Sequence, residues 1–172
     1  MNVDTLESAA VRLRQKGAQL AEIRHLDDER EWVAVRDGAV ERLNRAGSQG
    51  FGVRVLIEGA WGFAARPGSD PQALEAACGE ALAVARAAAA LGGGRTVLTE
   101  EEPSRGRWAT PVDEDPFAVP VADKLRLALA ATEELRRHAG ERARSTSAHI
   151  ATRRQKKRLA HGQVRKRWKC RQ

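Results

Sequence analysis

Four histidines and two cysteines are the side chains of this 172-residue chain most able to hold a metal or attack a substrate. None falls in a spacing that does either. His25, His138, His149 and His161 are followed by Leu, Ala, Ile and Gly, never by Glu, and no two stand four apart as a helical zinc pair requires. Hydrolysis at zinc needs ligands and a base, and the chain offers no visible place for either. Cys78 and Cys170 are far apart and form no CxxC. The acidic runs Glu100-Glu101-Glu102 and Asp113-Glu114-Asp115 lack the glycine-bearing spacing of a calcium loop and read as solvated loop charge.

The remaining candidates lie in residues 50–65, GFGVRVLIEGAWGFAA. Two short runs alternate there, Val53-Val55-Ile57 and Trp61-Phe63, around Glu58-Gly59, which is the pattern of a hairpin. Arg54 between two valines is a candidate contact for a peptide carboxylate or a partner subunit, although alternation alone puts a polar residue on the solvent face. Trp61 and Phe63 are candidates to line a substrate groove, although core packing is the favoured reading for both. Gly50, Gly52, Gly59 and Gly62, with Gly38 upstream, mark bends or close backbone approaches. Cys78, on an apolar helix face, reads as a buried structural thiol, and His25, at a strand end, as exposed.

The elements that position these residues follow from periodicity. Residues 4–16 are helical, with Asp4 as cap and Glu7 three residues on, and Gly17 ends the helix. Residues 20–25 and 32–36 read as two strands, the first alternating Leu20, Glu22 and Arg24 against Ala21, Ile23 and His25. Asp37-Gly38 is a strong hairpin signal, returning as a strand over residues 40–44. Asp70 and Pro71 open a long helix with the stripe Leu74, Cys78, Ala81, Leu82 and Ala85, ending at Gly92-Gly93-Gly94. Residues 95–119 form an extended connection with Trp108 and Phe117 as anchors. A second long helix covers residues 121–138, with Leu125, Ala128, Leu129, Thr132 and Leu135 on one side and Gly140 closing it. Residues 149–155 and 157–161 are two further strand candidates. The fold class is therefore α+β: a mostly antiparallel sheet with two main long helices packed on one face, plus a short N-terminal helix.

Net charge is +7, with 42% hydrophobic and 4% aromatic residues, so any core rests on Ala, Val and Leu. The basicity is local. Residues 141–172 hold twelve of the 30 Lys/Arg and one of the 23 Asp/Glu, leaving 18 against 22 in residues 1–140. The chain thus divides into an α+β domain over 1–140 and a basic C-terminal extension over 141–172, partly strand. Cationic residues 153–158, and the Arg165–Arg171 stretch around Trp168, suit phosphate contact with base stacking. A nucleic-acid or polyanion-binding module acting through this tail is the alternative function. No apolar run reaches membrane-span length and no secretory h-region is visible, so the expected location is cytoplasmic.

The segments GAQLAEIR, VRDGAVERL and GFGVRVLIEGAWGFAA, followed by a long helix and then DEDPFAVPVADK, are similar in order and spacing to the N-terminal half of the TldD/PmbA family of metalloproteases. The Gly-Ala-Trp-Gly-Phe-Ala run and the Asp-Pro-Phe segment resemble the TldD branch. The resemblance implies a cytoplasmic zinc peptidase acting on unfolded or modified peptides, working as a TldD–TldE pair. It also implies that a sheet edge of this half helps hold substrate as an added strand. The zinc motif of such proteins, His-Glu-x-x-x-His with a later cysteine, has no counterpart here, so zinc is expected of the complete family member and no cofactor of this chain. The isolated chain is expected to be inactive. The end of the sequence, residues 163–172, departs from the family pattern, and a frameshift or truncation that leaves about ten out-of-frame residues is the expectation there.

Overall fold

The computed structural model describes residues 2–92, 96–99 and 105–163. Three α-helices and four strands follow the order α1 (Val3–Gln15), β1 (Leu20–Arg36), β2 (Ala39–Ile57), β3 (Ala60–Pro67), α2 (Pro71–Ala90), α3 (Val121–Ala139) and β4 (Ser147–Gln163). The strands form one antiparallel sheet in the order β3-β2-β1-β4, confirming the α+β class.

Both hairpin signals are real, and for one physical reason. Asp37 and Gly38 have φ of 52° and 78°, and Glu58 and Gly59 have φ of 50° and 80°. Two successive left-handed residues make the turn whose twist matches the flanking strands, and glycine is needed where φ is largest. From the second turn, β3 runs back along β2 in the register Gly50↔Pro67 to Ile57↔Ala60, placing Arg54 opposite Phe63 and Leu56 opposite Trp61.

The strands are longer than their patterns suggest. Residues 20–25 and 32–36 are the two ends of β1, unbroken across the charge-rich stretch 26–31. Likewise β2 joins residues 40–44 to the 50s, and β4 joins 149–155 to 157–161. The first helix is capped by Asn2 rather than Asp4: Asn2 Oδ1 accepts from Thr5 N at 3.0 Å. Asp4 then falls in the first turn, where its charge opposes the helix dipole favourably. Asp70 caps α2 as expected, accepting from Ala73 N at 2.8 Å.

The chain divides into two compact units, and β1, β2 and β4 each pass from one into the other. Of the described residues, the first unit contains 2–27, 48–92, 96–99 and 156–163. Its core draws Ala21 and Ile23 from β1, Phe51, Val53, Val55 and Ile57 from β2, and Ala64 from β3. Leu6, Ala9, Ala10 and Leu13 of α1 and Leu74, Ala77, Cys78, Ala81, Leu82 and Ala85 of α2 complete it. With one aromatic ring in this set, contact is made by bringing backbones close together. A Cβ on Gly62 would lie 2.1 Å from the Ala81 carbonyl oxygen and 2.5 Å from Ala85 N. The alanine-rich face of α2 therefore rests on the bare backbone of β3.

The second unit contains residues 28–47 and 105–155. Val33 and Val35 are fully buried in it, with Ala128 and Thr132 of α3. Leu135, expected on the buried side of α3, is 51% exposed, and Lys124 takes a buried position in its stead. Lys124 Nζ pairs with the Glu31 carboxylate, and both side chains are almost wholly removed from solvent. At the β1–β2 turn, Asp37 accepts from Thr146 N, Ser145 Oγ and Arg136, and these donors hold its pKa below the usual carboxylate range. Of the two expected anchors in the long connection, Trp108 is 84% exposed while Phe117 is half-buried. Phe117 lies beneath the guanidiniums of Arg154 and Arg45, 4.5 and 5.2 Å from the ring centroid.

Candidate functional site

Strand alternation sends Phe51, Val53, Val55 and Ile57 to the core and turns Gly52 and Arg54 to the opposite face of the first unit. On β3 the register aligns Phe63 with Arg54. On β1, Glu22 and Arg24 alternate against Ala21 and Ile23. Glu22, Arg24, Gly52, Arg54 and Phe63 line one open depression of about 250 Å³.

Its electrostatics are asymmetric. Glu22, buried, accepts from Arg54 Nη2 at 2.7 Å through Oε2 and faces Arg24 Nη2 at 2.6 Å through Oε1. Two guanidiniums thus share one carboxylate, leaving one positive charge in excess. The Arg54 guanidinium also lies over the Trp61 ring, 4.7 Å from its centroid. Phe63 is 62% exposed, which corrects the core-packing expectation for this residue; Trp61 is half-buried. Arg54, Trp61 and Phe63, candidates from the sequence, are brought together here. Glu22 and Arg24 are not among the sequence candidates, and their alternation with Ile23 is the signal that puts both on this face.

The glycines divide by cause. Gly38 and Gly59 supply the turns, and Gly62 the contact with α2. A Cβ on Gly50 would lie 2.9 Å from the Arg66 carbonyl oxygen. At Gly52 it would meet only the edge of Phe63, at 3.8 Å, which is ordinary contact.

His25 is buried, 3% exposed, contrary to the expected strand-end position, because β1 continues past it. Its ring lies 4.9 Å from Phe51 and its Nδ1 3.5 Å from Arg158 Nη1, while Nε2 has no hydrogen-bond partner. Burial first, and the Arg158 charge second, hold its pKa below the ordinary 6.5 against a weaker opposing pull from Asp27. The neutral ring is therefore the folded form. Above pH 6.5 both folded and unfolded chains carry it neutral and its contribution is complete. As pH falls below 6.5 the unfolded chain takes the proton first, and stability is lost down to the folded pKa. An NMR titration of the His25 ring is expected to give a midpoint below 6.5, and one at or above that value would contradict the buried placement.

Cys78 is buried as expected, and desolvation pushes its thiol up to about 11, which excludes a thiolate nucleophile at neutral pH. Among the described residues no three His, Cys, Asp or Glu side chains gather to hold a metal. The carboxylates that are brought together are committed to cations. Asp28 accepts from Arg30, Arg153 and Gln155, and Glu29 from Arg45 and Arg154. These donors hold both carboxyls below the usual range. A zinc ion does not fit this donor set. The same pairs engage Arg153 and Arg154 of the expected polyanion-binding run; the Arg165–Arg171 stretch, Cys170 and residues 100–102 lie outside the described residues.

The family profile described as PmbA/TldA metallopeptidase domain 1 matches residues 21–85, which hold β1, the two hairpins and most of α2. The matched stretch is 65 of the chain's 172 residues, and over it the chain is similar to the first domain of the PmbA/TldA metallopeptidases. Solved structures agree on the fold. The TldE of Thermococcus kodakarensis superimposes with a TM-score of 0.71 at 14% identity, covering 91% of this chain and 34% of its own. A candidate modulator of DNA gyrase from Thermotoga maritima gives 0.69 at 17% identity, covering 92% and 34%. A protein of the same description from Bacteroides thetaiotaomicron gives 0.59 at 14%, covering 92% and 38%. The chain thus spans about a third of the length of the first two structures. No curated protein matches it. None of the described helices is long and apolar enough to cross a membrane.

Proposed function

We propose that this chain is the framework portion of a TldD/PmbA-type zinc peptidase that acts in the cytoplasm on unfolded or modified peptides. In this reading the chain does not hydrolyse peptides alone. Zinc belongs to the complete family member, and a TldD/TldE-type subunit and a peptide are the partners. Residues 1–140 supply the framework and residues 141–172 a basic extension. The carrying observation is the match of residues 21–85 to a metallopeptidase first domain, beside the finding that among the described residues no three His, Cys, Asp or Glu side chains gather to hold a metal.

Two features support a substrate-edge role. The β3–β2 register runs to Gly50↔Pro67 and is closed one step on by Gly68 N, which donates to the Gln49 carbonyl at 2.9 Å, so β3 stops short of the first half of β2. Residues 39–49 of β2 are exposed throughout, and an exposed strand pairs with an extended peptide through main-chain bonds without reading its sequence. Arg54, Trp61 and Phe63 are the side chains offered to a substrate strand or a partner subunit. Metal analysis of the purified chain after dialysis against zinc tests the reading. The expected content is well below one ion per chain; a stoichiometric, tightly held zinc would overturn it.

A further inference from the structure

The open face at Glu22, Arg24, Gly52, Arg54 and Phe63 has more specific chemistry than a framework needs. We propose that this depression is a subsite for the free C-terminal carboxylate of a peptide whose last side chain is apolar. The proposal rests on the reading that this domain meets peptide, and it assigns the point of contact and the group recognised.

Charge selects the ligand first. Arg24 and Arg54 share the single carboxylate of Glu22, so one positive charge is unbalanced and suits a monoanion. Each guanidinium carries five N–H donors in a planar fork, and its contact with Glu22 uses a fraction of them. The side chains of Arg24 and Arg54 are 65% and 49% exposed, so those donors are accessible. The arrangement is also formed in advance: Glu22 is buried beneath it and Trp61 stacks against Arg54. Little side-chain freedom is then lost on binding.

Shape selects an end group rather than an internal segment. A sheet face, unlike an edge, presents no row of unpaired backbone groups, so a passing chain would find no ladder to join. The volume of about 250 Å³ is below the roughly 300–1,000 Å³ of ordinary ligand pockets. It has room for about one residue. The exposed Phe63 ring beside the two arginines offers an apolar surface for that residue's side chain, and Gly52 leaves the floor bare.

The test is binding of a fluorescein-labelled hexapeptide ending in Ala-Leu to the full 172-residue chain, read by fluorescence anisotropy without added metal. The free acid is expected to bind saturably. Its C-terminal amide should bind about tenfold more weakly or worse, since a charge-assisted bidentate contact is lost. Arg54→Gln should have a comparable effect. Gly52→Leu is the sharper variant: its Cβ meets only ordinary contact with Phe63 and the rest of the side chain enters the depression, so binding should be lost while thermal unfolding stays cooperative. Equal binding of acid and amide would overturn the proposal, as would full binding by Gly52→Leu. Equal binding of an amidated peptide with an internal Glu would replace it with a side-chain carboxylate site. Absence of binding would also overturn it, and because no zinc or hydrolysis enters the readout, the framework reading would be unaffected.

Discussion

Replacing Gly62 by alanine is expected to destabilise the first unit more than any other single-methyl change in it. The added Cβ would sit 2.1 Å from the Ala81 carbonyl oxygen, 2.5 Å from Ala85 N and 2.7 Å from Ala85 Cβ. Two of these are helix backbone atoms, so no rotamer change relieves the overlap and α2 must lift from β3. Overpacking of this kind costs about 3 kcal/mol, and for a chain of this length that lowers Tm by roughly 6–12 °C. Gly52→Ala is the control, because its Cβ finds ordinary contact and a strand interior favours alanine over glycine. Thermal unfolding of the two variants beside the wild type should separate them clearly. Equal melting temperatures would mean that α2 does not rest on β3 at this point.

The second large effect is expected at Lys124 and Glu31. Their side chains are 6% and 3% exposed, and the ammonium faces the carboxylate directly. A pair removed from water in this way gains little net stability over apolar residues of similar size. Losing one member, however, leaves an uncompensated buried charge at a cost of about 3–5 kcal/mol. Lys124→Met alone should therefore be severely destabilising in urea. The double change Lys124→Met with Glu31→Leu should recover most of that loss, with a coupling of about 2 kcal/mol or more between the two sites. Additive effects would show that the groups do not share a buried environment.

Lys124 also illustrates what the sequence conceals. Its helix shows a stripe through Leu125, Ala128, Leu129, Thr132 and Leu135; Ala128 and Thr132 are buried as expected, but Lys124 is buried beside them while Leu135 is exposed. A lysine reads as solvent-facing unless its carboxylate partner is known, and that partner is 93 residues away in the chain. The same blindness split β1. Leu26-Asp27-Asp28-Glu29-Arg30-Glu31 has the composition of a loop, but Asp28 and Glu29 are matched by Arg153 and Arg154 about 125 residues later. With those partners supplied, a charge-rich strand is stable, and His25 becomes an interior residue of it.

Local backbone chemistry was legible by contrast. Asp37-Gly38 and Glu58-Gly59 announce turns because two left-handed residues in succession leave few alternatives, and both have positive φ. Asp70-Pro71 fixed the start of α2 through a cap visible in two residues. At the open face, alternation was enough to isolate Arg54, Trp61 and Phe63. It did not reveal that Glu22 binds Arg54 from a strand 32 residues earlier. Gly62 was visible as a glycine, but the reason for it depends on where α2 lands, which no local pattern states.

The framework reading meets its most direct test in a peptidase assay. The purified 172-residue chain, supplied with zinc, is incubated with an unfolded, fluorogenically labelled polypeptide, with and without a chelator. The predicted result is no cleavage above background in either arm, since the described side chains provide no metal site and no base beside one. Turnover that proceeds with zinc and stops on chelation would contradict it.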